Sequence, residues 1–347
     1  MTNIGDVARH LGVSRSTVSY ALSGKRPVST EMKARIDAAI RELDYWPSAA
    51  GLSLATSRRN IIGLLAPLGE NATPSVALQF VDGVARSSRT HGFDTLLVTG
   101  REAFEGVERL VRAGVVDGLV ALDVENADPR LAELEGASLP AVLLGQPARP
   151  VQLDTVDMDW EVAGATLVRH LAELGHRRAL VLGAPEAAYT MEMTYAVRFR
   201  AGVTRAASEA DVEITEIPVG NDFSASLTKI HDALVGHNDV TGVIVQHEAA
   251  AAPLLAAAGA LRLRIPEDLA VAGITLDVVD HALGRPLTGV GNPSVAMTRT
   301  AVDLLVERIV HADAVLPPRA VVVDGGGELI DRGTTAPAPH AAAQRRR

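Results

Sequence analysis

From Ile61 onward, short apolar runs alternate with long amphipathic stretches, and this alternation restricts the chain more than any other feature. The runs are Ile61–Leu65, Thr95–Val98, Gly118–Leu122 and Pro140–Leu144, then Ala179–Leu182, Ile214–Val219, Thr241–Val245 and Leu269–Ile274. Long helices are expected at 75–91, 160–174, 193–208, 224–236 and 294–311. Runs this apolar are buried on both faces, which calls for parallel sheets covered by helices. Val116-Asp117-Gly118-Leu119-Val120 and Val240-Thr241-Gly242-Val243-Ile244 echo each other, so a duplicated lobe is expected. Ligands of such folds sit beyond the carboxyl ends of the strands, here in a cleft between two lobes.

The 347 residues are long enough for two or three domains. Aromatics are only 3% of them, so the cores must be aliphatic. With no Cys, the chain has no disulfide scaffold, thiolate metal site or Cys nucleophile. The first residues include Asp6, Arg9 and His10 and lack the apolar run of a signal peptide. The longest apolar run, Ala249 to Leu261, is too short to span a bilayer and is interrupted by Pro253. A cytoplasmic protein is expected.

Residues 1–60 carry nine Lys or Arg against five acids, a net +4 in a chain of net −9. A basic head on an acidic body suits a module that meets phosphates while the body avoids them. The head reads as three short helices. Asn3 caps the first, with Asp6 in its first turn and Val7, Ala8 and Leu11 on one face. Gly12 breaks it, and Ser14 caps a second helix, Arg15 to Ser23, whose apolar positions are Val18 and Leu22. Ser29 caps a third, with Ile36, Ile40 and Leu43 as its buried stripe. Helix, glycine turn, helix is the arrangement that lays a second helix in the DNA major groove. With Val18 and Leu22 inward, Arg15, Ser16, Thr17, Ser19 and Tyr20 face out. They supply a base-reading guanidinium, hydroxyls for phosphates and an aromatic for a base edge. A plain three-helix bundle with a wet hydroxyl face is the alternative, but this face carries no acid.

The uninterrupted run from Ile4 through Val13-Ser14-Arg15-Ser16-Thr17-Val18-Ser19-Tyr20 to Gly24 resembles the headpiece of the lactose-repressor (LacI/GalR) family of transcriptional regulators. Carried over position by position, the resemblance makes Arg15, Ser16 and Tyr20 base readers. It makes Asn3, Ser14, Thr17, Ser19 and Ser23 backbone contacts, with Lys25, Arg26 and Ser29 also expected on DNA. Many relatives have Arg where this chain has Tyr20, which bears on the operator sequence. Residues 47–57 resemble the family's hinge helix, with Leu54 as its leucine wedge. Such a helix forms when two copies pair over the minor groove, where the two leucines unstack a base step. A nucleophile elbow, which Gly51-Leu52-Ser53-Leu54-Ala55 faintly mimics, needs a preceding strand that is missing here.

The resemblance extends over the body through Leu171–Arg178, Ile265–Gly273 and Pro286-Leu287-Thr288. It implies a two-lobed, periplasmic-binding-protein-like α/β body of parallel sheets, with chain crossings near residues 158, 290 and 318. The expected organisation is a helix-turn-helix head (1–46), a hinge (47–59), a two-lobed effector-binding and dimerisation body (60–332) and a disordered tail (333–347). The positions where sugar-binding relatives grip hydroxyls depart from pattern: Gln246-His247, Thr275, Gly145-Gln146 and Phe199 stand there. Arg198 and Arg200 flank Phe199 but are expected to point elsewhere. Either the effector is not a simple sugar and meets Asn71, Phe223, Gln246, Thr275 and Asn292, or the cleft has lost its ligand.

Gly325-Gly326-Gly327 lacks the Lys of a phosphate loop and reads as a turn after an Ala320–Val323 strand. The histidines show no metal-ligand spacing, and no catalytic set emerges. A non-enzymatic homodimeric repressor is therefore expected, cofactor-free, whose partners are operator DNA, a small-molecule effector and itself. A solute-binding protein or a metabolic enzyme on the same body is the alternative.

Overall fold

The computed structural model describes residues 2–23, 28–45, 59–66, 68, 74–100, 102–275, 286–312, 314 and 316–339. The expected sites Lys25, Arg26, Leu54 and Asn71, and the hinge residues 47–58, lie outside them, as do the side chains of Ser23 and Thr275. The chain divides into two compact units, Met1–Ile61 with Gly114–Asp117, and Ile62–Ala113 with Gly118–Arg347.

The first unit contains the three helices α1 (Ile4–Leu11), α2 (Arg15–Ser23) and α3 (Thr30–Glu42). Asn3 and Asp6 form a reciprocal capping box: Gly5 N donates to Asn3 Oδ1 at 2.8 Å, and Asn3 N donates to Asp6 Oδ2 at 2.8 Å. Gly12 ends α1 in the left-handed conformation, with φ 68°. Ser14 Oγ accepts from Thr17 N at 3.1 Å, and Ser29 Oγ from Met32 N at 3.2 Å, so all three expected caps are in place. Val7, Ala8, Val18, Ile36 and Ala39 form the core, with Leu11, Leu22, Ile40 and Leu43 packed around them. Each fully buried Val or Ile contributes about 1.5–3 kcal/mol, which is how so small a bundle holds together.

The second unit continues with β1 (Ile61–Leu65), α4 (Pro74–Thr90), β2 (Asp94–Val98), α5 (Glu102–Glu105), α6 (Val107–Ala113), β3 (Gly118–Ala121), α7 (Leu131–Gly136), β4 (Ala141–Leu144) and β5 (Asp154–Asp157). Then come α8 (Trp160–Glu173), β6 (Arg178–Gly183), α9 (Glu186–Thr190), α10 (Thr194–Ala210), β7 (Glu213–Pro218), α11 (Phe223–Gly236), β8 (Gly242–Val245), α12 (Ala251–Ala260) and β9 (Ala270–Thr275). The last elements are β10 (Thr288–Gly291), α13 (Ser294–Val310), β11 (Ala320–Val322) and β12 (Leu329–Ile330).

The strands form two six-stranded sheets, in the orders β11-β5-β4-β3-β1-β2 and β12-β10-β9-β8-β6-β7. Pairing is parallel from β1 through β3, β4 and β5 to β11, and parallel among β6–β10; β12 runs antiparallel to β10. Apart from the added edge strands β11 and β12, the two orders are the same. The five-residue sequence echo falls on β3 and β8, which hold equivalent places.

The chain crosses between lobes after β5, after β10 and after β11. The third crossing lies between Val322 and Leu329 rather than near 318, and the glycine run forms it. β5 and β10 were not foreseen because their sequences, DTVD and TGVG, are too polar or too glycine-rich to read as buried runs. Asp154 nevertheless sits at 2% exposure because Arg308 grips it through Nε at 2.9 Å and Nη2 at 2.7 Å. Pro253 does not break α12, since it lies in the first turn, where no N–H is required.

The tail is not disordered from residue 333. Thr334 is buried, donates through Oγ1 to Val271 O at 2.6 Å, and accepts at its carbonyl from Val271 N at 2.8 Å. His176 Nε2 holds Ala336 O at 3.0 Å, and Ala338 is also buried. Ala338 N also donates to Leu174 O at 2.9 Å, so this Ala- and Pro-rich stretch is held by hydrogen bonds to the second lobe. Among the described residues, no helix is long and apolar enough to cross a membrane.

Candidate functional site

In the head, the second helix presents the surface its sequence promised. Val18 is fully buried, Arg15 and Ser16 are exposed, and Thr17, Ser19 and Tyr20 are half-buried. Ser14 Oγ lies 2.7 Å from Ser16 Oγ and 2.8 Å from Thr17 Oγ1, so three hydroxyls cluster at the positive end of α2. That cluster, at a helix N-terminus, is suited to a phosphate. The Arg15 guanidinium lies over Gly5: a Cβ there would come 2.8 Å from its Nε. Asn3, Ser14 and Ser29 spend their side chains as helix caps, which fixes the helix ends that face the same side chains outward.

In the second unit, a cavity of about 160 Å³ opens between the two sheets. Its walls come from the carboxyl ends of strands: Leu122–Val124 after β3, Gly145 after β4, Asp157 ending β5, Gln246–Glu248 after β8, and Asn292 after β10. Parallel strands present their ends to the same side, so this placement follows from the fold. Trp160 and Tyr195 add their rings, with centroids 5.8 Å apart.

Asp123 takes a left-handed backbone conformation, with φ 53°. Burial pushes its carboxyl up to about 6, against the opposing pull of Arg130. Arg130 is fully buried and pairs with Asp128 at 2.6 Å. It also donates from Nη2 to Leu122 O at 2.8 Å and Asp123 O at 3.1 Å, bracing the turn that carries Asp123. Asp157 accepts from Gln146 N at 3.1 Å, Met158 N at 2.8 Å and Trp160 Nε1 at 2.9 Å; burial still raises its carboxyl above the usual range. Burial likewise raises the Tyr195 hydroxyl, helped by the charges of Asp123 and Glu248, and lowers the His247 imidazole.

Gln246 is 7% exposed, and its side-chain amide lies 3.3 Å from Ala184 N and 3.2 Å from the Tyr189 hydroxyl oxygen, to which Ala184 N also donates at 3.2 Å. Tyr189 in turn donates to Glu216 Oε1 at 2.5 Å, and Arg200 stacks over its ring at 3.3 Å.

Of the expected ligand contacts, the structure brings Gln246 and Asn292 to the cavity. Phe223 does not line the cavity: it is 49% exposed at the start of α11, which follows the edge strand β7. Ile274 of β9 lines the cavity, next to Thr275. Arg200 points away, as expected, but Arg198 reaches inward to Gln146 Oε1 at 3.2 Å and Asp157 Oδ2 at 3.6 Å. His247 stands beside Gln246 at a position where sugar-binding relatives grip hydroxyls, whereas Asp123, Trp160 and Tyr195 carried no mark as ligand contacts in the sequence. The available signal was positional: Asp123 directly follows an apolar run, and Trp160 opens the first interlobe crossing.

A helix-turn-helix head together with a two-lobed cleft body defines a DNA-binding regulator of transcription with a ligand-type domain. Residues 3–48 match the bacterial regulatory proteins of the lacI family, and residues 168–335 match the periplasmic binding protein-like domain. The transcriptional regulator CelR of Thermobifida fusca is 31% identical over 315 residues, 87% of this chain and 90% of the relative. The transcriptional repressor PurR of Pectobacterium atrosepticum is 30% identical over 351 residues, 98% of each. Among solved structures, the CelR–cellobiose complex superposes with a TM-score of 0.66 at 28% identity, covering 96% of this chain and all of that one. The lac repressor dimer bound to operator superposes at 0.77 with 22% identity, covering 96% and 99%. The chain belongs to the LacI family.

Proposed function

We propose that the chain is a homodimeric repressor that acts in the cytoplasm and catalyses no reaction. Two heads each read one half of a pseudo-palindromic operator, Arg15, Ser16 and Tyr20 meeting bases. Asn3, Ser14, Thr17, Ser19, Ser23, Lys25, Arg26 and Ser29 meet the backbone, and paired Leu54 side chains open the centre. The cleft takes a small molecule through Gln246, Asn292 and the residues around them. Closure of the lobes changes the spacing of the hinges, so ligand and DNA affinities are coupled reciprocally, by about 1–3 kcal/mol. The observation that supports this reading best is the outward face of α2, with Arg15 and Ser16 exposed directly above a buried Val18. The relatives point the same way: one is named a repressor, and one is solved with a disaccharide in complex.

Selection of bound fragments from genomic DNA tests it. A single pseudo-palindromic consensus should emerge, and Tyr20→Ala should change preference at one base of each half. Lys25→Ala should weaken all sequences alike and reduce the salt slope by about 1. Recovery of random fragments, or variants that bind like the parent, would overturn the reading.

A further inference from the structure

Where the expected hinge (47–59) meets the body, one carboxylate takes hold of the main chain. We infer that Asp117 is a positioning residue for DNA binding: it fixes the hinge exit to the first sheet, so that the body sets the spacing of the two heads. This rests on the reading of the chain as a two-headed regulator, and it names the residue through which lobe movement reaches the hinge.

Each residue has two soft backbone torsions. Left unrestrained, Arg59 and Asn60 would swivel, and a displacement of the lobe would be lost before it reached residue 58. Asp117 directly precedes β3, the strand beside β1, where Ile62 pairs with Gly118. Both its carboxylate oxygens accept from Arg59 N at 2.9 Å, and Oδ2 accepts from Asn60 N at 2.5 Å. Ile61 N lies 3.4 Å from the same oxygen. Arg59 adds a second hold, donating from Nε to Gly114 O at 2.6 Å. Hydrogen bonds from main-chain N–H groups to a carboxylate are charge-assisted and about twice as strong as neutral ones. Asn60 meanwhile takes the left-handed conformation, with φ 55°, which a residue with a side chain keeps only when its surroundings impose it. The direction of the chain at the hinge exit is thus set by Asp117.

The second lobe supplies an internal control. Thr241 N donates to Arg178 O at 3.4 Å where β6 and β8 begin, as Asp117 N donates to Ile61 O at 2.8 Å where β1 and β3 begin. The two positions therefore correspond, in Val116-Asp117-Gly118 and Val240-Thr241-Gly242. Thr241 Oγ1 lies 2.7 Å from His176 Nδ1, so its hydroxyl meets a ring. The lobe that no hinge enters thus closes this corner without a carboxylate, and its β6–β8 ladder still runs from Ala179 to Leu182. The β1–β3 ladder, from Ile62 to Leu65, likewise lies beyond the residues that Asp117 holds. What the half-buried Asp117 adds is a grip on the chain before the strand.

The test uses the full chain and one selected palindromic fragment, with versions lengthened or shortened by one base pair at its centre and a version with one half scrambled. One base pair moves a half-site by about 3.4 Å and turns it by about 35°. In fluorescence anisotropy the parent should bind the selected spacing at least about tenfold tighter than either neighbour. Asp117→Ala should compress that preference below about threefold, because a swivelling hinge lets the heads find both spacings. Its affinity for the half-scrambled fragment should stay within about twofold of the parent's, and its melting temperature within about 3 °C. Asp117→Asn, which keeps one acceptor oxygen, should fall between. An Asp117→Ala protein that keeps the parent's spacing preference overturns the inference, as does one that weakens on every fragment by the same factor. Should Asp117→Ala melt early, Asp117→Asn decides: a reduced preference supports the clamp, and the parent's preference overturns it. A parent indifferent to spacing overturns the two-headed reading, and the clamp with it.

Discussion

Arg130, fully buried, donates from Nη2 to the Asp123 carbonyl oxygen across 3.1 Å, while the Asp123 side chain lines the cleft. One guanidinium thus ties a strained turn, a buried carboxylate and a ligand wall together. Replacing it by Met strands Asp128, itself 5% exposed, as an unpaired charge. Such a loss costs about 3–5 kcal/mol. Urea denaturation of Arg130→Met should show that drop, and Arg130→Met with Asp128→Asn should recover part of it. Equal stabilities for the parent and the single variant would contradict this role.

Asp123 makes the body less stable as pH rises. Burial pushes its folded carboxyl up to about 6, from about 3.9 for a free aspartate, so the folded form holds its proton more tightly. The penalty develops between about pH 4 and 6 and is complete above that. Asp123→Asn removes it. Its gain should be about 1–3 kcal/mol at pH 7.5, discounted for its opening to the cleft, and close to nothing at pH 3.5. Denaturation curves at both pH values check the sign; a gain confined to low pH would refute it.

Gly202 lies where α10 crosses α8, and a Cβ on it would come 2.0 Å from the Glu161 carbonyl oxygen. Backbone cannot yield as a side-chain tip does. Gly202→Ala should cost about 2–3 kcal/mol and lower the melting temperature by roughly 4–12 °C. A melt unchanged within a degree would mean that the helices separate freely.

The parts of the fold that were legible in the sequence are those in which one local property decides the outcome. Caps at Asn3, Ser14 and Ser29 and the apolar runs of β1, β3, β4 and β8 need only local chemistry. β5 was invisible because Asp154 becomes buried only through Arg308, which is 154 residues away. The tail was misread because its partners, Val271 and His176, are also remote in sequence, 63 and 160 residues away. Gln246 and Asn292, legible as residues that follow strand ends, line the cavity, whereas Phe223, assigned by resemblance, lies at the start of α11, after the edge strand β7. Trp160 and Tyr195 meet only because two crossing helices start at the same rim, a relation no local pattern records.

The central claim is that α2 reads DNA and that two heads are needed to do so. Fluorescence anisotropy of one selected palindromic fragment, against the same fragment with one half scrambled, measures both at once. The account predicts two chains per intact site, affinity lower by at least about a hundredfold on the half-site, and loss of the intact-site advantage in Arg15→Ala. One chain per duplex with equal affinity for both fragments, or an Arg15→Ala protein that still prefers the intact site, would contradict it.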